Sequence, residues 1–517
     1  MKKLSRIIGK SLLALLIVAA AYLLMGVLWP LTTANPNVQA GQLLVTGAVI
    51  VDVETGELKT GHNILIENGV ITATGPDVAA DGATIVDGSG RYAIPGLFDM
   101  HVHNFKMAPE LAHPLYVASG VTAIRDMGGC LDADDSWTAC AEDKRKWNRG
   151  VVDGTLVGPR YDQVTSLAMD GGNAVPGGFD SDLGGATPTG ARSRVAMDNA
   201  RGIDFLKTYT QLPRDSYMAL AKAASDAEMY LAGHLPFAVS GIEAAAAGQR
   251  SFEHALLFVF ECYPGFDALR GTPDFFAGYT NELRMKMIAG HDSARCNALF
   301  EAMAAAGTVF VPTHTTRKLD AYALDPAYRA DARLKYIPAP LRTMWLQDAD
   351  GMAKRAGTGG GAASYKAIFE FGLQQTGAAH RAGVTVLAGT DAPDSFAFPG
   401  LGLTDELEHL SLAGLSAIDV LRAATLAPAK FLGLENRAGV IKAGARADIV
   451  LLNSNPLENI SATADIDAVV LAGVPYGRDD LDKMLAGVEA NADSWSMWPK
   501  FAWQILGSPI MRKQFAD

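Results

Sequence analysis

The stretch RYAIPGLFDMHVH, residues 91–103, has the pattern of an apolar strand whose end carries two histidines, His101 and His103. On a β-strand, residues i and i+2 share a face, so both imidazoles can reach one metal ion. A single His-x-His pair is a weak signal by itself. Its meaning depends on what the rest of the chain places at the ends of other strands.

The residue pattern of the chain changes at this stretch. Residues 41–92 contain short β-rich runs separated by Gly and Asn turns, which predicts a small β-domain. Residues 93–436 alternate strand-like runs with Ala- and Leu-rich helical stretches, which predicts an α/β fold with a parallel barrel. Short β-rich runs occur again at residues 437–477. The simplest arrangement pairs these late strands with residues 41–92 in one discontinuous β-domain beside the barrel.

Other strand-like runs also end in residues of the metal-binding type. These are Lys207 in GIDFLKTY, His234 in LAGHLP, His254 in RSFEHA and Asp391 in VLAGTDAP. The carboxyl ends of barrel strands all face the same mouth, so these side chains would meet His101 and His103 there. The sequence therefore predicts one metal site built from distant parts of the chain.

Length and composition limit the class of protein. The chain has 517 residues, enough for about three domains or for one large α/β barrel with additions. Apolar residues make up 49% and charged residues 19%, which excludes a disordered chain. The net charge of minus 12 has the wrong sign for neutralising a phosphate backbone, so we expect no nucleic-acid partner.

The N-terminal segment, residues 1–40, has the pattern of a membrane signal. Basic residues precede an apolar stretch from Ser11 to Trp29 that is long enough to cross a bilayer as a helix. The positive flank keeps the N-terminus in the cytoplasm and predicts an extracytoplasmic, periplasmic location for the rest. Val38-Gln39-Ala40 resembles a signal-peptidase site, but the apolar stretch is longer than a usual signal core, which favours an anchor. A cleaved signal and a secreted protein remain the alternative.

The four cysteines fit an oxidising compartment. They form two local pairs along the chain, Cys130 with Cys140 and Cys262 with Cys296, and we predict a disulfide in each. The alternative is four buried thiols, and four cysteines allow three pairings.

The C-terminal tail, residues 478–517, is rich in aromatic residues. Trp495, Trp498 and Trp503 lie close together in it, and amphipathic aromatic side chains favour a membrane interface. The alternative is a terminal helix that packs on the barrel.

In order and context, the motifs above resemble those of the amidohydrolase superfamily, in the branch with imidazolonepropionase-like and prolidase-like enzymes. The resemblance runs from about residue 42 to 475 and includes PGLFDMHVH, LKTY, GHLP, FEHA, GTDAP, ELEHLSLAGLSAIDVLRAATLAPAKFLGL and GVIKAGARADIVLL. It implies a (β/α)8 TIM barrel over residues 93–436, beside a composite β-sandwich made of residues 41–92 and 437–477. It also implies hydrolysis by a metal-bound hydroxide.

Carried over residue by residue, the resemblance implies a centre of two divalent ions, with zinc as the expected metal. His101, His103 and Asp391 would hold the more buried ion, and His234 and His254 the second. Imidazole and carboxylate ligands also suit manganese and cobalt.

The resemblance makes Lys207 a bridge between the two ions. A free lysine is a cation and repels a metal, so this role requires carboxylation by carbon dioxide to an anionic carbamate. If Lys207 instead packs against the barrel wall, the site holds one ion.

The implied mechanism uses a hydroxide that bridges the two ions, whose pKa is depressed toward neutrality. One ion polarises the scissile carbonyl. Asp391 would take the hydroxide proton as general base and deliver it to the leaving amine as general acid.

Three further residues are candidates for binding substrate. Tyr209 shares the strand face of Lys207, and His314, in VFVPTHTT, lies at the end of a strand-like run. Arg317 has the bidentate geometry that clamps a carboxylate, although most arginines in such loops are solvated.

We therefore expect a membrane-tethered metallohydrolase that cleaves an amide bond in a small molecule, a dipeptide as in prolidase-like relatives or an N-acyl amino acid. A hydrolase of cyclic amides, lactones or organophosphates, or a deaminase, is the alternative on the same metal centre. A catalytically inactive scaffold is a remote third, because all six candidate ligand positions carry ligand-type residues. The sequence leaves open whether the chain forms a homo-oligomer.

Overall fold

The computed structural model describes residues 2–38, 41–131, 135–171, 175, 180–272 and 275–514, which form a mixed α/β fold. The strands are β1 (Gln42–Val51), β2 (Leu58–Glu67), β3 (Val70–Gly75), β4 (Thr84–Asp87), β5 (Tyr92–Pro95), β6 (Leu97–Val102), β7 (Val121–Asp126), β8 (Arg160–Tyr161), β9 (Phe205–Thr208), β10 (Tyr230–Gly233), β11 (Gln249–Glu253), β12 (Val309–Val311), β13 (Ile449–Leu452), β14 (Ile466–Leu471) and β15 (Val474–Gly477). The α-helices are α1 (Lys2–Leu28), α2 (Ala108–Leu111), α3 (His113–Ala118), α4 (Ala141–Val152), α5 (Pro188–Ala200), α6 (Arg214–Asp226), α7 (Gly241–Ala246), α8 (Leu257–Glu261), α9 (Asn281–Ala289), α10 (Ser293–Ala306), α11 (His314–Tyr322), α12 (Pro326–Arg329), α13 (Ala339–Ala356), α14 (Gly361–Arg381), α15 (Gly402–Leu412), α16 (Ala417–Ala423), α17 (Leu426–Phe431), α18 (Arg478–Ala492), α19 (Met497–Gly507) and α20 (Pro509–Gln514). Short 3-10 helices cover Ser181–Gly184, Pro264–Ala268, Phe275–Gly278, Ala332–Tyr336 and Ile460–Ala464.

One mixed sheet joins strands from both ends of the chain. Its order is β15-β14-β13-β5-β1-β2-β3, with β4 beside β1. The junction is the antiparallel pair of β13 with β5, in which Ile449 lies opposite Pro95 and Leu452 opposite Tyr92. Strand β13, IVLL, is buried at every position, as expected for an apolar run inside a sheet. Strands from residues 41–92 and from residues 437–477 therefore lie in one sheet.

Two smaller sheets contain only parallel strands. Their orders are β6-β7-β8 and β12-β11-β10-β9. Isolated parallel bridges extend them: Val102 pairs with Ala392, Phe310 with Val386, and Thr165 with Phe205. Since all of these pairs are parallel, the carboxyl ends of the strands lie at the same edge, which is where the candidate site residues stand.

Helix α1 is, among the described residues, the one helix long and apolar enough to cross a membrane, over Lys10–Leu28. Its carboxyl end packs on the C-terminal tail, where the Trp29 and Trp495 ring centroids lie 5.4 Å apart. An apolar N-terminal helix agrees with the predicted signal segment. Of the predicted cleavage site, Gln39 and Ala40 lie outside the described residues.

Both predicted disulfides are present. The Cα atoms of Cys130 and Cys140 lie 5.3 Å apart, and those of Cys262 and Cys296 lie 4.9 Å apart, with the sulfur atoms of each pair at bonding distance. The alternative of four buried thiols is therefore wrong. Disulfides and an apolar N-terminal helix together fit an extracytoplasmic protein.

Candidate active site

A cavity of about 810 Å³ opens at the carboxyl edge of the parallel strands. This volume lies within the range of small-molecule sites. The cavity lining contains a polar set and an apolar set of side chains. The polar set includes His103, Lys207, His234, His254 and Asp391. The apolar set includes Phe237, Leu257, Phe260, Phe266, Ile510 and Met511.

His101, His103 and Asp391 form one cluster of ligand-type atoms. The Nε2 atoms of the two histidines lie 3.2 Å apart. Asp391 Oδ1 lies 3.3 Å from His101 Nε2 and 3.1 Å from His103 Nε2. Ligand atoms bonded tetrahedrally to one ion at zinc-like bond lengths lie about 3.3 Å from each other. The three atoms are therefore spaced as the ligands of a single ion would be.

A second group of ligand-type atoms adjoins the first. His234 Nε2 and His254 Nε2 lie 3.0 Å apart. The other carboxylate oxygen of Asp391, Oδ2, lies 3.6 Å from His254 Nδ1. Lys207 Nζ lies 3.2 Å from His103 Nε2. The structure thus brings together all six side chains that the sequence singles out as ligands.

The protonation states of these groups suit a divalent cation. Burial lowers the pKa of His101 and His234 well below the usual value, and lowers the pKa of His254 to about 4. These imidazoles are therefore neutral at pH 7 and offer a lone pair. Burial alone would raise the pKa of Asp391, but the hydrogen bond from His103 and the nearby Lys207 amine lower it to about 2. The carboxylate is accordingly an anion.

Lys207 lies at the end of β9, with a side chain that is almost fully buried. Burial lowers the pKa of its amine to about 8, against the opposing effect of Asp391. A buried ammonium is costly unless a partner or a chemical change removes the charge.

The backbone around two of the candidate ligands is unusual. His254 and Asp391 both adopt left-handed conformations, with φ of 70° and 63°. Such a residue costs about 1–3 kcal/mol unless the surroundings hold it in place. Here the backbone amide of Asp391 donates to the His101 carbonyl at 2.7 Å, and that of His254 donates to the Val311 carbonyl at 2.8 Å. Neighbouring strands therefore fix the direction of both side chains.

The glycine of the GTDAP motif, Gly389, permits this close approach. A Cβ at this position would lie 2.5 Å from the Val311 side chain and 2.9 Å from the His101 backbone nitrogen. Only a residue without a side chain lets the segment before Asp391 lie against the strand that carries His101.

A buried charge network orients His101 from behind. Glu253 Oε2 lies 2.8 Å from His101 Nδ1, which leaves Nε2 to face His103 and Asp391. Arg125 donates from Nη2 to Glu253 Oε1 at 2.8 Å, and Ser251 also donates to that oxygen. All of these side chains are fully buried or nearly so. A carboxylate on the far nitrogen of a ligating histidine fixes its ring and its tautomer.

Glu253 and Arg125 are not among the site residues predicted from the sequence. A usable signal was present, because each is a charged residue within a short strand of buried residues, VTAIRD in β7 and QRSFE in β11. Charged residues are almost never fully buried without a partner, so two of them in buried strands indicate a pair.

We predict that Glu253→Gln weakens metal binding by about 10- to 100-fold, because the variant keeps the shape of the side chain but loses the charge that holds His101. Competition with a fluorescent chelator measures the affinity. Glu282→Gln, at an exposed helical position, is the matched control. Equal affinity in the two variants would contradict an orienting role for Glu253.

Of the three predicted substrate contacts, two line the cavity. Tyr209 and Arg317 are both in its wall, and the Tyr209 ring centroid lies 4.1 Å from that of His234. Burial raises the pKa of Tyr209 to about 12, so its phenol keeps a proton to donate. Arg317 donates from Nη1 to Asp320 Oδ2 at 2.5 Å, which leaves part of its guanidinium facing the cavity.

The structure does not bring His314 to the cavity. Its ring is fully buried, and Nε2 lies 3.0 Å from Thr376 Oγ1 in α14. Its backbone amide donates to Glu406 Oε1 at 3.0 Å. Strand β12 ends before this residue, and helix α11 begins at it, so the ring turns toward the helices rather than the strand edge.

Part of the chain is similar to a known protein family. Residues 366–475 match the model of the amidohydrolase family. A dihydroorotase of Pelotomaculum thermopropionicum is 33% identical over 82 residues, which is 16% of this chain and 19% of the relative. Adenine deaminase 2 of Agrobacterium fabrum is 34% identical over 88 residues, 17% of this chain and 15% of the relative. The matches thus span less than a fifth of the length of these curated relatives.

Solved structures resemble a much larger part of the chain. Bottromycin amidohydrolase aligns with a TM-score of 0.67 at 21% identity, covering 92% of this chain and 93% of that one. A Xaa-Pro dipeptidase with bound methionine aligns with a TM-score of 0.59 at 20% identity, covering 84% of this chain and 100% of that one. At these identities the likeness establishes a shared fold.

Proposed function

We propose that the chain is a member of the amidohydrolase superfamily and a metal-dependent hydrolase of carbon–nitrogen bonds that acts on an amide, which the match of residues 366–475 to the amidohydrolase family model supports. The observation that carries this proposal is the convergence of six ligand-type side chains, five of which line one cavity. Neighbouring ligand atoms there lie 3.0 to 3.6 Å apart. Their sequence positions run from 101 to 391, so chance proximity does not account for the cluster.

The fold inferred for residues 93–436 is a closed (β/α)8 barrel. The isolated bridges support it, because they link β6 to the segment before Pro393, that segment to β12, and the segment after β8 to β9. These links would join the two parallel sheets into one ring. The mixed sheet would then be the composite β-domain of residues 41–92 and 437–477, with residues 478–517 as a separate tail.

The donor set fits two divalent ions, with zinc as the expected metal. His101, His103 and Asp391 would hold one, His234 and His254 the other, and a carboxylated Lys207 would lie between them. A carbamate made with carbon dioxide replaces a buried cation by an anionic oxygen donor, which is why the modification suits this position. Bound ions would supply Lewis acidity and a water molecule of lowered pKa.

The side chains of the cavity would transfer protons and orient the substrate. Asp391 is an anion at neutral pH and would accept a proton from the attacking water, then return it to the leaving amine. Tyr209 would donate a hydrogen bond from its phenol to the substrate. Arg317 would pair with a substrate carboxylate, since a guanidinium recognises carboxylates in a bidentate manner.

The substrate class proposed is a dipeptide or an N-acyl amino acid. The apolar wall around Phe237, Phe260 and Phe266 supports an apolar group on the acyl side, and Arg317 supports a carboxylate on the amine side. A second candidate is hydrolysis of a cyclic amide or deamination, favoured by the dihydroorotase and adenine deaminase names of the matched relatives.

The location proposed is the extracytoplasmic face of a membrane, the periplasm, with α1 as the anchor. The apolar segment Lys10–Leu28 supports this placement, and so do the two disulfides. Cleavage after α1 would instead release a secreted enzyme.

Metal analysis and a substrate screen test the proposed function together. The purified chain, expressed in the presence of zinc, is expected to hold close to two equivalents of metal and to hydrolyse members of dipeptide or N-acyl amino acid libraries. Thorough chelation should abolish turnover, and zinc should restore it. Activity that survives chelation would contradict the metal centre. Turnover of cyclic amides in place of both libraries would favour the second candidate.

A further inference from the structure

Helix α19 has an exposed apolar face. Met497, Pro499 and Phe501 are buried, and Pro499 lies against α1. Trp498, Ala502, Trp503 and Leu506 are exposed. These four positions form the outer face of the helix, and Trp503 and Leu506 are 62% and 66% exposed. Large apolar side chains clustered on an exposed face mark an interaction surface.

The outer face of α19 adjoins the end of α1. A Cβ at Gly26 would lie 2.4 Å from the Pro499 ring, so the two helices touch at this point. Lys500 is the one charged residue of α19, and its ammonium donates to the Val27 carbonyl at 2.8 Å. The exposed face therefore carries no charge, and it lies beside the exposed apolar end of α1, where Leu28 is 72% exposed.

We propose that the outer face of α19 docks on the lipid bilayer that α1 crosses, in the headgroup region. This rests on the proposed membrane anchoring of α1. Tryptophan is the residue type that best suits this region, because its ring is amphipathic. The direct contact of α19 with the apolar end of α1 makes the bilayer, rather than another protein, the fitting cover.

The docked helix also contacts the cavity rim. The Phe501 ring centroid lies 5.0 Å from that of Trp137, which lines the cavity. Beyond α19, Ile510 and Met511 of α20 form part of the apolar wall. Bilayer docking would hold this rim at the membrane surface. Within the substrate class proposed above, this favours an N-acyl amino acid with a long apolar chain.

Tryptophan quenching by lipid tests the docking. The full chain is placed in phosphatidylcholine vesicles whose acyl chains carry bromine, which quenches only nearby tryptophan. We expect the double variant Trp498→Phe/Trp503→Phe to lose much of the quenching that the wild type shows. Trp147→Phe is the matched control, because Trp147 is buried beside His113 in the body of the protein. Trp29→Phe reports separately on the anchor.

The possible results of the quenching experiment distinguish the bilayer from other covers of the outer face. Quenching of Trp498 and Trp503 by aqueous iodide and not by bromolipid would overturn the proposal. If Trp498 and Trp503 are protected from both quenchers and the protein has a dimeric mass, the proposal is wrong, and a second copy of the chain covers the outer face. A chain that holds no metal and turns over no amide would contradict the proposed function, yet leave the quenching result intact.

A charged variant separates docking from general disruption. Leu506→Glu is expected to move Trp503 from lipid to iodide quenching. It is also expected to slow hydrolysis of N-dodecanoyl amino acids in vesicles, and to leave hydrolysis of N-acetyl amino acids unchanged. An equal effect on both substrates would overturn the link between docking and the cavity.

Discussion

Asp391→Asn is expected to lower kcat by about 100- to 10,000-fold, the usual contribution of a positioned general base and acid. Asparagine has nearly the same shape, but its amide accepts no proton at neutral pH. Asp391 also touches both groups of ligand atoms, with Oδ1 facing His103 and Oδ2 facing His254. Steady-state turnover of the best substrate, at saturating zinc, measures the loss.

Asp226→Asn is the matched control for this experiment. Asp226 pairs with Lys222 on an exposed helical surface, so the same chemical change there should leave kcat unaltered. Metal content is measured in parallel, because loss of a ligand and loss of a base both reduce activity. An Asp391→Asn enzyme that holds both ions and keeps kcat within about tenfold of the wild type would refute the acid–base role.

Lys207→Met is expected to reduce the bound metal from two equivalents to one and to lower kcat by about 100-fold or more. Methionine fills the same buried space but forms no carbamate. The loss of one ion removes several kcal/mol of transition-state stabilisation, and each 1.36 kcal/mol is about a tenfold change in rate. Elemental analysis and steady-state kinetics give the two measurements.

The control for Lys207 is Lys222→Met, at an exposed site on α6. Preparation of the wild type in buffer depleted of carbon dioxide should imitate Lys207→Met in part, and bicarbonate should restore the second ion. Two equivalents of metal in Lys207→Met would show that the second ion needs no bridge from this residue. The site would then be built from the histidines and Asp391 alone.

Much of the fold is predictable because its signals are local. The apolar stretch from Ser11 to Trp29 predicts α1 by length alone, and the β texture at residues 41–92 and 437–477 predicts the two halves of the mixed sheet. The registers within that sheet are not predictable. They depend on which apolar strands meet across the chain, as β13 and β5 do, and no local pattern records the partner.

The residues of the candidate site are also predictable only where their signal is local. His101 and His103 are readable because strand alternation puts them on one face, and parallel strands gather the other four ligand-type residues at one edge. His314 is misleading because Thr313 before it adopts a left-handed conformation with φ of 46°, which starts a helix where a strand end is expected. The pairing of Glu253 with Arg125 is not predictable from a local pattern, because the two residues lie on separate strands.

The pairing of β13 with β5 has a consequence for biogenesis. β5 cannot pair with β13 until Ile449–Leu452 has left the ribosome, which happens long after Tyr92–Pro95 has done so. At roughly 5–20 residues per second, the apolar edge of the half-made sheet waits for tens of seconds. Open strand edges recruit other chains and aggregate. We therefore expect chains cut short before β13 to aggregate or to be degraded rather than to accumulate in soluble form.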